Sequence, residues 1–247
     1  MGRTGRLKYQ PAAQNISCYL KSYQYIDSDS IQVRDFTTKA LQNLTDPSDV
    51  GRAICLFNAV RDGIPYNPYK FNLDQKNYKA SVVTTQDSAY CIPKAILLTA
   101  CLRAANIPAA IGFADVRNHL ITPKLAQLMQ TDLFICHGYV QLWLGEKSYK
   151  ITPAFNTELC QRFGIKPLIF DGRSDALFHE FDTQERRHME YVNDRGVYED
   201  VPATELLTTL QEAYPQLVEF EQQTNAGAAS YYDKFTSTEP GTTASAP

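Results

Sequence analysis

A cysteine and a histidine in this sequence have the positions that nucleophilic chemistry would need. Cys91 stands in the segment YCIPKA, directly before residues 95–105, which are apolar on nearly every side and predict a buried helix. A thiol at a helix N-terminus lies near unpaired backbone N–H groups and the positive end of the helix dipole. We therefore predict a lowered pKa for Cys91 and backbone donors able to stabilise an oxyanion. The alternative is that Cys91 is a small buried hydrophobic residue.

The base for such a thiol is expected to be a histidine, because imidazole is the usual partner of a nucleophilic cysteine. Of the four histidines, His137 alone lies inside a confidently predicted strand. His119 follows an earlier predicted strand and is the second choice as base. Each also has a structural interpretation, His137 as a residue satisfied within a sheet and His119 as part of a surface loop.

The surroundings of His137 follow from a predicted hairpin. Gly145 and Glu146 form a two-residue turn between two predicted strands, with glycine at the first central position. Because alternate residues of a strand share a face, Thr152 lies on the face of His137, and Asn156 joins it if pairing continues. One face would then carry an imidazole with polar neighbours able to orient it.

A helix and a sheet must position these residues, and the pattern of the chain predicts both in that order. Helical patterns come first and segments of strand character follow. This order indicates an α+β fold, in which the helix carrying the cysteine packs on an antiparallel sheet carrying the histidine. The predicted helices are residues 31–44, 50–61 and 95–105, and the predicted strands are residues 109–116, 134–144 and 148–152.

The composition excludes several classes of protein. The chain has 24 Lys+Arg against 27 Asp+Glu, a net charge of −3, so no basic surplus points to nucleic acid. No apolar run approaches the roughly 20 residues of a membrane span. The six cysteines include no CxxC pair, so neither a zinc-finger motif nor a cofactor is predicted. Without an export signal, we expect a cytoplasmic protein with free thiols.

The chain is predicted to form one domain with two loose ends. Residues 1–15 are polar and basic, and residues 223–247 are rich in Thr, Ala, Ser, Gly and Pro. Both segments are expected to be flexible or disordered. Residues 16–222 form a single domain, because no internal repeat and no Pro/Gly/Ser-rich linker interrupts them.

Residues 171–200 stand out within this domain because they are dense in polar groups. Four of them could assemble a divalent metal site, although their spacing fits no specific motif. A solvated charged loop is therefore the preferred interpretation, and no metal is predicted. The four candidate ligands are His179, Asp182, His188 and Glu190.

Four motifs occur in an order that resembles the transglutaminase-like superfamily. They are VRDGIPY at residues 60–66, YCIPKA at residues 90–95, RAANIPA at residues 103–109 and HGYVQL at residues 137–142. In that superfamily a cysteine opens the core helix and a histidine begins a strand. The resemblance covers about residues 16–156. It implies a papain-like fold with a Cys-His-Asp triad that acts on amides by acyl transfer or hydrolysis, with Cys91 as nucleophile and His137 as base.

The third member of the triad is the point at which the sequence departs from the family. Thr152, in the segment YKITP, stands where the family has its aspartate. Three residues could orient His137 instead: Asn156 as asparagine does in papain-like sites, the Thr152 hydroxyl more weakly, or Asp171 by folding back. Without a negative charge the imidazolium is less stabilised, so a slower or narrower enzyme, or an inactive one, is expected.

Two classes of function follow. The first is a cysteine-dependent amide hydrolase or acyltransferase whose substrate is a peptide or small amide, with hydrolysis preferred. The second is a catalytically retired domain of the same fold that binds a peptide or protein partner. A weaker third is an amide-forming biosynthetic enzyme that acts on a carrier-bound acyl group. The reactivity of Cys91 separates the first two, because a retired site has no need of a thiolate near neutral pH.

Overall fold

The computed structural model describes residues 6–119, 121–177 and 189–225. In these ranges the strands form one antiparallel sheet, and helices cover it. The helices are α1 (Ile31–Leu41), α2 (Asp49–Gly63), α3 (Ala80–Val83), α4 (Cys91–Ala104), α5 (Pro123–Met129), α6 (Thr157–Phe163), α7 (Ala203–Ala213) and α8 (Pro215–Asn225). The strands are β1 (Ala109–Asn118), β2 (Leu133–Leu144), β3 (Lys147–Ile151) and β4 (Met189–Tyr198), in the sheet order β3-β2-β1-β4. The predicted α+β class is confirmed.

Helix α4 is the centre of the core. Every residue from Cys91 to Arg103 is buried, as expected of a helix that is apolar on all sides. Pro93 lies in the first turn, where its missing N–H costs no hydrogen bond. At the other end Asn106 adopts φ +61°, and the Ile107 N–H donates to the Leu102 carbonyl over 2.9 Å, which closes the helix.

Two buried cations attach α4 to its neighbours. The Nζ of Lys94, which is fully buried, donates to the carbonyls of Arg61 (2.8 Å) and Ile64 at the end of α2. Burial lowers the pKa of Lys94 to about 7. Arg103 donates to the Ala109 carbonyl at the start of β1 over 2.8 Å. Three of the four sequence motifs are thus joined by side chains of α4.

The hairpin between β2 and β3 has the predicted turn. Leu144 pairs with Lys147 and Val140 with Ile151, and Gly145 has φ +63°. Pairing does not continue to His137, which was the condition for Asn156 to share its face, because β3 ends at Ile151. The backbone N–H of the next residue, Thr152, donates instead to the Ala176 carbonyl over 2.8 Å, so the chain turns away from β2.

The predicted loose N-terminus is wrong for residues 6–15. Leu7 is buried, and its N–H donates to the Thr209 hydroxyl on α7 over 2.9 Å. Gln10 adds to the edge of β4: its N–H donates to the Arg195 carbonyl, and its carbonyl accepts from the Val197 N–H. Only long-range partners order this polar segment, so its composition alone does not predict it.

The C-terminal third also differs from expectation. Helix α8 runs to Asn225, past the predicted domain boundary at 222, and residues 226–247 of the predicted tail lie outside the described residues. Strand β4 is ten residues long, and α5 to α8 were not predicted. All six cysteines are free thiols, as expected. Within the described ranges no helix is long and apolar enough to cross a membrane.

Candidate active site

Cys91 is the first residue of α4, as the sequence predicts. The preceding residue, Tyr90, is the N-cap, with extended backbone and no capping side chain. The N–H groups of the first turn are therefore free of a side-chain acceptor. The thiol is buried, with 6% of the residue exposed.

Helix α4 meets β2 beside the histidine. A Cβ atom on Gly138 would lie 2.8 Å from the Cα of Ile92, so only glycine allows this approach of strand to helix. As a result Cys91 and His137 line the same pocket, which has a volume of about 460 Å³. His137 is also buried, with 6% of the residue exposed. The structure thus brings together the two residues that the sequence selected.

The predicted low pKa of Cys91 is wrong for this closed site. Burial raises the pKa of the thiol to about 11, and the opposing backbone N–H groups of Gly138 and Ile92 compensate only in part. Burial also lowers the pKa of His137 to about 4. The helix N-terminus was correctly located, but desolvation outweighs it. Both groups are consequently neutral at pH 7.

Thr152 is the polar neighbour of the imidazole. Its hydroxyl lies 3.3 Å from His137 Nε2 and donates to the Gly138 carbonyl over 3.0 Å. A hydroxyl has one proton, so the oxygen that donates to Gly138 accepts from Nε2–H. This hydrogen bond selects the tautomer in which Nδ1 carries the free lone pair. Thr152 thus occupies the orienting position, where it contributes no charge.

A β-bulge directly precedes the histidine. Ala114 of β1 pairs with His137 but Val116 pairs with Phe134, so β2 has one extra residue opposite Asp115. Cys136, within the bulge, adopts φ +59°, which is unfavourable for a side chain larger than glycine. The direction in which the strand presents His137 depends on this distortion.

Side chains satisfy the backbone of the bulge. The Cys136 N–H donates to Asp115 Oδ1 over 3.0 Å, and the Ile135 N–H donates to the Tyr214 hydroxyl. Asp115 is buried and is held by Arg195 through two hydrogen bonds of 2.7 and 2.9 Å. Tyr214 donates in turn to the Leu133 carbonyl over 2.9 Å. These side-chain contacts replace the hydrogen bonds that a regular ladder would supply.

The remaining candidate residues lie elsewhere. Asn156 is buried, but its Oδ1 accepts from the Tyr66 N–H over 3.0 Å, so it supports the pocket wall instead of the imidazole. Asp171 is exposed, and its carboxylate accepts from the N–H groups of Arg173 and Ser174 within its own turn. The structure does not bring Asp171 to His137.

Of the second-choice base and the four metal candidates, the structure describes His119 and Glu190. His119 is five residues beyond the position that pairs with His137, roughly 16 Å along β1 at 3.3 Å per residue. Its Nε2 lies 3.3 Å from Glu190. The other three metal candidates, His179, Asp182 and His188, lie outside the described residues. Among the described residues no group of three or more His, Cys, Asp and Glu side chains could hold a metal ion.

Three residues of the site were missed: Asp115, Arg195 and Tyr214. Asp115 sits in an otherwise apolar predicted strand, and a carboxylate buried there needs a partner. That signal could have identified Asp115 as unusual. Local sequence patterns could not predict the bulge that Asp115 supports. Nor could they predict the part played by Arg195 on β4 and Tyr214 at the α7–α8 junction.

Comparison with known proteins finds a family match over the segment that carries both residues. The sequence model of the transglutaminase-like superfamily matches residues 34–151, which include Cys91 and His137. No curated protein matches the sequence significantly. A similar solved structure is that of a candidate cysteine protease from Cytophaga hutchinsonii, with 16% identity and a TM-score of 0.43. The similarity covers 60% of this chain and 46% of that one, less than half of its length. The segment that carries the cysteine helix and the histidine strand, residues 34–151, therefore matches the transglutaminase-like superfamily.

Proposed function

We propose that the protein is a cysteine-dependent amide hydrolase or acyltransferase that acts on a peptide or small amide. The observation that carries the proposal is the shared pocket of Cys91 and His137, with Thr152 bonded to the far side of the imidazole. A thiol, a correctly protonated base and an orienting group are the parts that nucleophilic catalysis needs. Hydrolysis is preferred, because no amine-binding site is identified among the described residues.

The chemistry starts from neutral groups. As Cys91 Sγ bonds to the substrate carbonyl carbon, the thiol proton passes to His137 Nδ1 and the carbonyl π electrons move to oxygen. Backbone N–H groups at the start of α4 and at Gly138 are suited to stabilise that oxyanion. When the C–N bond breaks, the imidazolium proton goes to the leaving nitrogen, and an acyl-enzyme remains.

The acyl group then passes to water or to an amine. The attacking nucleophile gives a proton to Nδ1 as it bonds to the carbonyl carbon. The C–S bond breaks, and the thiol recovers its proton from the imidazolium. In this scheme the imidazolium is transient, so Thr152 needs only to hold the ring and not to neutralise a permanent charge.

The test is a covalent adduct on one cysteine. Incubation with p-nitrophenyl acetate is expected to release p-nitrophenol and to leave an acetyl group on the Cys91 peptide, detected by mass spectrometry. Cys91→Ala and His137→Ala should both abolish that adduct. Cys18→Ala is the matched control, because Cys18 is a partly exposed thiol outside the pocket. An adduct that forms equally on all accessible cysteines, or one that survives in His137→Ala, would refute the proposal.

A catalytically retired domain that binds a peptide or protein partner is the second candidate. Thr152 in the position of the acid favours it, as does the raised pKa of Cys91. This candidate predicts no acyl adduct on Cys91, and it predicts that Cys91→Ser leaves partner binding unchanged.

A further inference from the structure

The pocket of Cys91 and His137 adjoins a second one. The adjoining pocket has a volume of about 470 Å³ and shares four wall residues with the first: Tyr66, Pro68, Leu125 and Phe134. Because they share these residues, the two pockets lie side by side, and the second extends the apolar surface beyond the reactive groups. We call the two pockets together the acyl cleft.

The acyl cleft has no charged wall. None of the described residues that line either pocket is Asp, Glu, Lys or Arg, in a chain of which 21% is charged. Beside the reactive groups the wall is aliphatic and aromatic, with Met129 of α5 and Leu217 of α8 among its residues. A charged group placed here would lose its hydration without gaining a counter-ion.

Two of the three tyrosines that line the inner pocket have hydroxyls that are engaged within the protein. The Tyr90 hydroxyl is hydrogen-bonded to the Tyr78 hydroxyl, and the Tyr214 hydroxyl bonds to the backbone of β2. Apart from the Tyr66 hydroxyl, the polar side chains left to face a substrate in the inner pocket are those that would react with it, Cys91 and His137. The rest of the inner pocket's surface is apolar, so contact with an apolar group is favourable there.

We propose that the acyl side of the substrate is apolar and uncharged: a straight hydrocarbon chain or an apolar side chain attached to the scissile carbonyl. This inference rests on the proposed function, because it assigns the chemistry of the group that the Cys91 thioester would carry. A fatty acyl amide and a peptide with an apolar residue at the scissile bond share that chemistry. The experiment below distinguishes these two sources.

The first experiment compares p-nitrophenyl esters that differ only at the far end of a six-carbon acyl chain. The hexanoate ends in a methyl group, the adipate monoester in a carboxylate, and the 6-(trimethylammonio)hexanoate in a cation. We expect kcat/KM for the hexanoate to exceed that of either charged ester by at least about 100-fold. Cys91→Ala gives the background for each ester. The p-nitrophenyl ester of N-acetylphenylalanine, compared with the hexanoate, separates the peptide source from the fatty acyl source.

The second experiment adds a charge to the wall. Met129→Lys should weaken turnover of the hexanoate and improve turnover of the adipate monoester relative to it by about 10-fold or more. Gln127→Lys is the matched control, because it adds the same charge to an exposed position of the same helix outside the cleft. If Met129→Lys fails to fold, the ester series on the unaltered protein remains decisive.

The outcomes separate the two proposals. Turnover that depends on Cys91 but shows equal rates for the three esters, or a preference for a charged one, overturns the apolar acyl group and leaves the proposed function standing. No Cys91-dependent turnover of any ester overturns the proposed function and this inference with it. A hexanoate preference that Met129→Lys reduces by about 10-fold or more and Gln127→Lys leaves unchanged is the expected result.

Discussion

The two halves of the candidate active site are held in place by different means. Cys91 opens α4, an apolar helix buried along almost its whole length. His137 follows a bulge whose N–H groups are satisfied by Asp115 and Tyr214, which are 21 and 79 positions away from their partners in the chain. The nucleophile is thus positioned by local helix formation and apolar packing, and the base by a distant polar network. Substitutions far from the site should therefore disturb the base more than the nucleophile.

The Asp115–Arg195 pair is expected to give the largest effect. Asp115→Ala leaves a partly buried guanidinium without its carboxylate and the Cys136 N–H without its acceptor, so the free energy of unfolding should fall by about 3–5 kcal/mol. Urea denaturation measures the loss. Replacement of both partners, as in Asp115→Leu with Arg195→Met, should cost less than Asp115→Ala alone.

A second substitution tests whether the base depends on distant residues more than the nucleophile does. Leu98→Ala in α4, at a fully buried position, should cost a similar 2–5 kcal/mol. Under conditions where both variants are folded, Asp115→Ala should slow acylation of Cys91 more than Leu98→Ala does. Equal slowing in the two variants would show that the polar network has no special part in presenting His137.

The buried imidazole predicts a loss of stability in acid. The unfolded chain binds a proton at His137 near pH 6.5, whereas the folded protein does so only near its pKa of about 4. This contribution is fully present above pH 6.5 and falls as the pH drops, by roughly 2–3 kcal/mol at pH 4.5. Urea midpoints at pH 7 and pH 4.5 measure it. His137→Gln should lose less stability over the same interval; an identical loss would mean that other groups control it.

Gly138 joins the two halves, so a methyl group there should separate them. Gly138→Ala would place a Cβ 2.8 Å from the Cα of Ile92, and overpacking of this kind costs about 1–3 kcal/mol. Acylation of Cys91 should slow as well. Gly63→Ala is the matched control, since an added Cβ there has no atom within 4 Å. A Gly138→Ala variant with unchanged stability and acylation would contradict the close approach.

The smallest expected effect is a gain in reactivity. In Thr152→Asp a carboxylate replaces the hydroxyl beside Nε2, which raises the pKa of His137 and favours a thiolate–imidazolium pair. The alkylation rate of Cys91 by iodoacetamide at pH 7 should increase about 10-fold, equivalent to one pKa unit. Thr152→Asn, which has similar size and no charge, should give no such increase. A rate that rises equally in both variants would point to altered access instead of altered charge.

The contrast between the two halves also explains what the sequence could predict. The start of α4, the turn at Gly145 and Glu146, and the proximity of Thr152 to His137 all follow from patterns of a few neighbouring residues. The raised pKa of Cys91 could not be predicted, because it depends on how α5 and the α7–α8 junction cover the site.

Two failures of prediction have different causes. Asp171 was a reasonable candidate because carboxylates orient imidazoles, but its own turn offers two N–H donors at once. The N-terminal segment was expected to be loose because it is polar, yet β4 and α7 supply its partners. The first outcome is decided by a local turn that was not recognised, and the second by partners far away in the chain.

Lys94 fixes one wall of the acyl cleft, so only the opposite wall is left to move. Its ammonium group joins α4, three residues after the nucleophile, to the chain at Ile64 that leads into Tyr66. Separation of those two elements would leave the buried Lys94 donor without an acceptor, so they move as one body. Widening of the cleft to admit a substrate therefore falls to the opposite wall, where α5 and α8 contribute apolar contacts that slide at little cost.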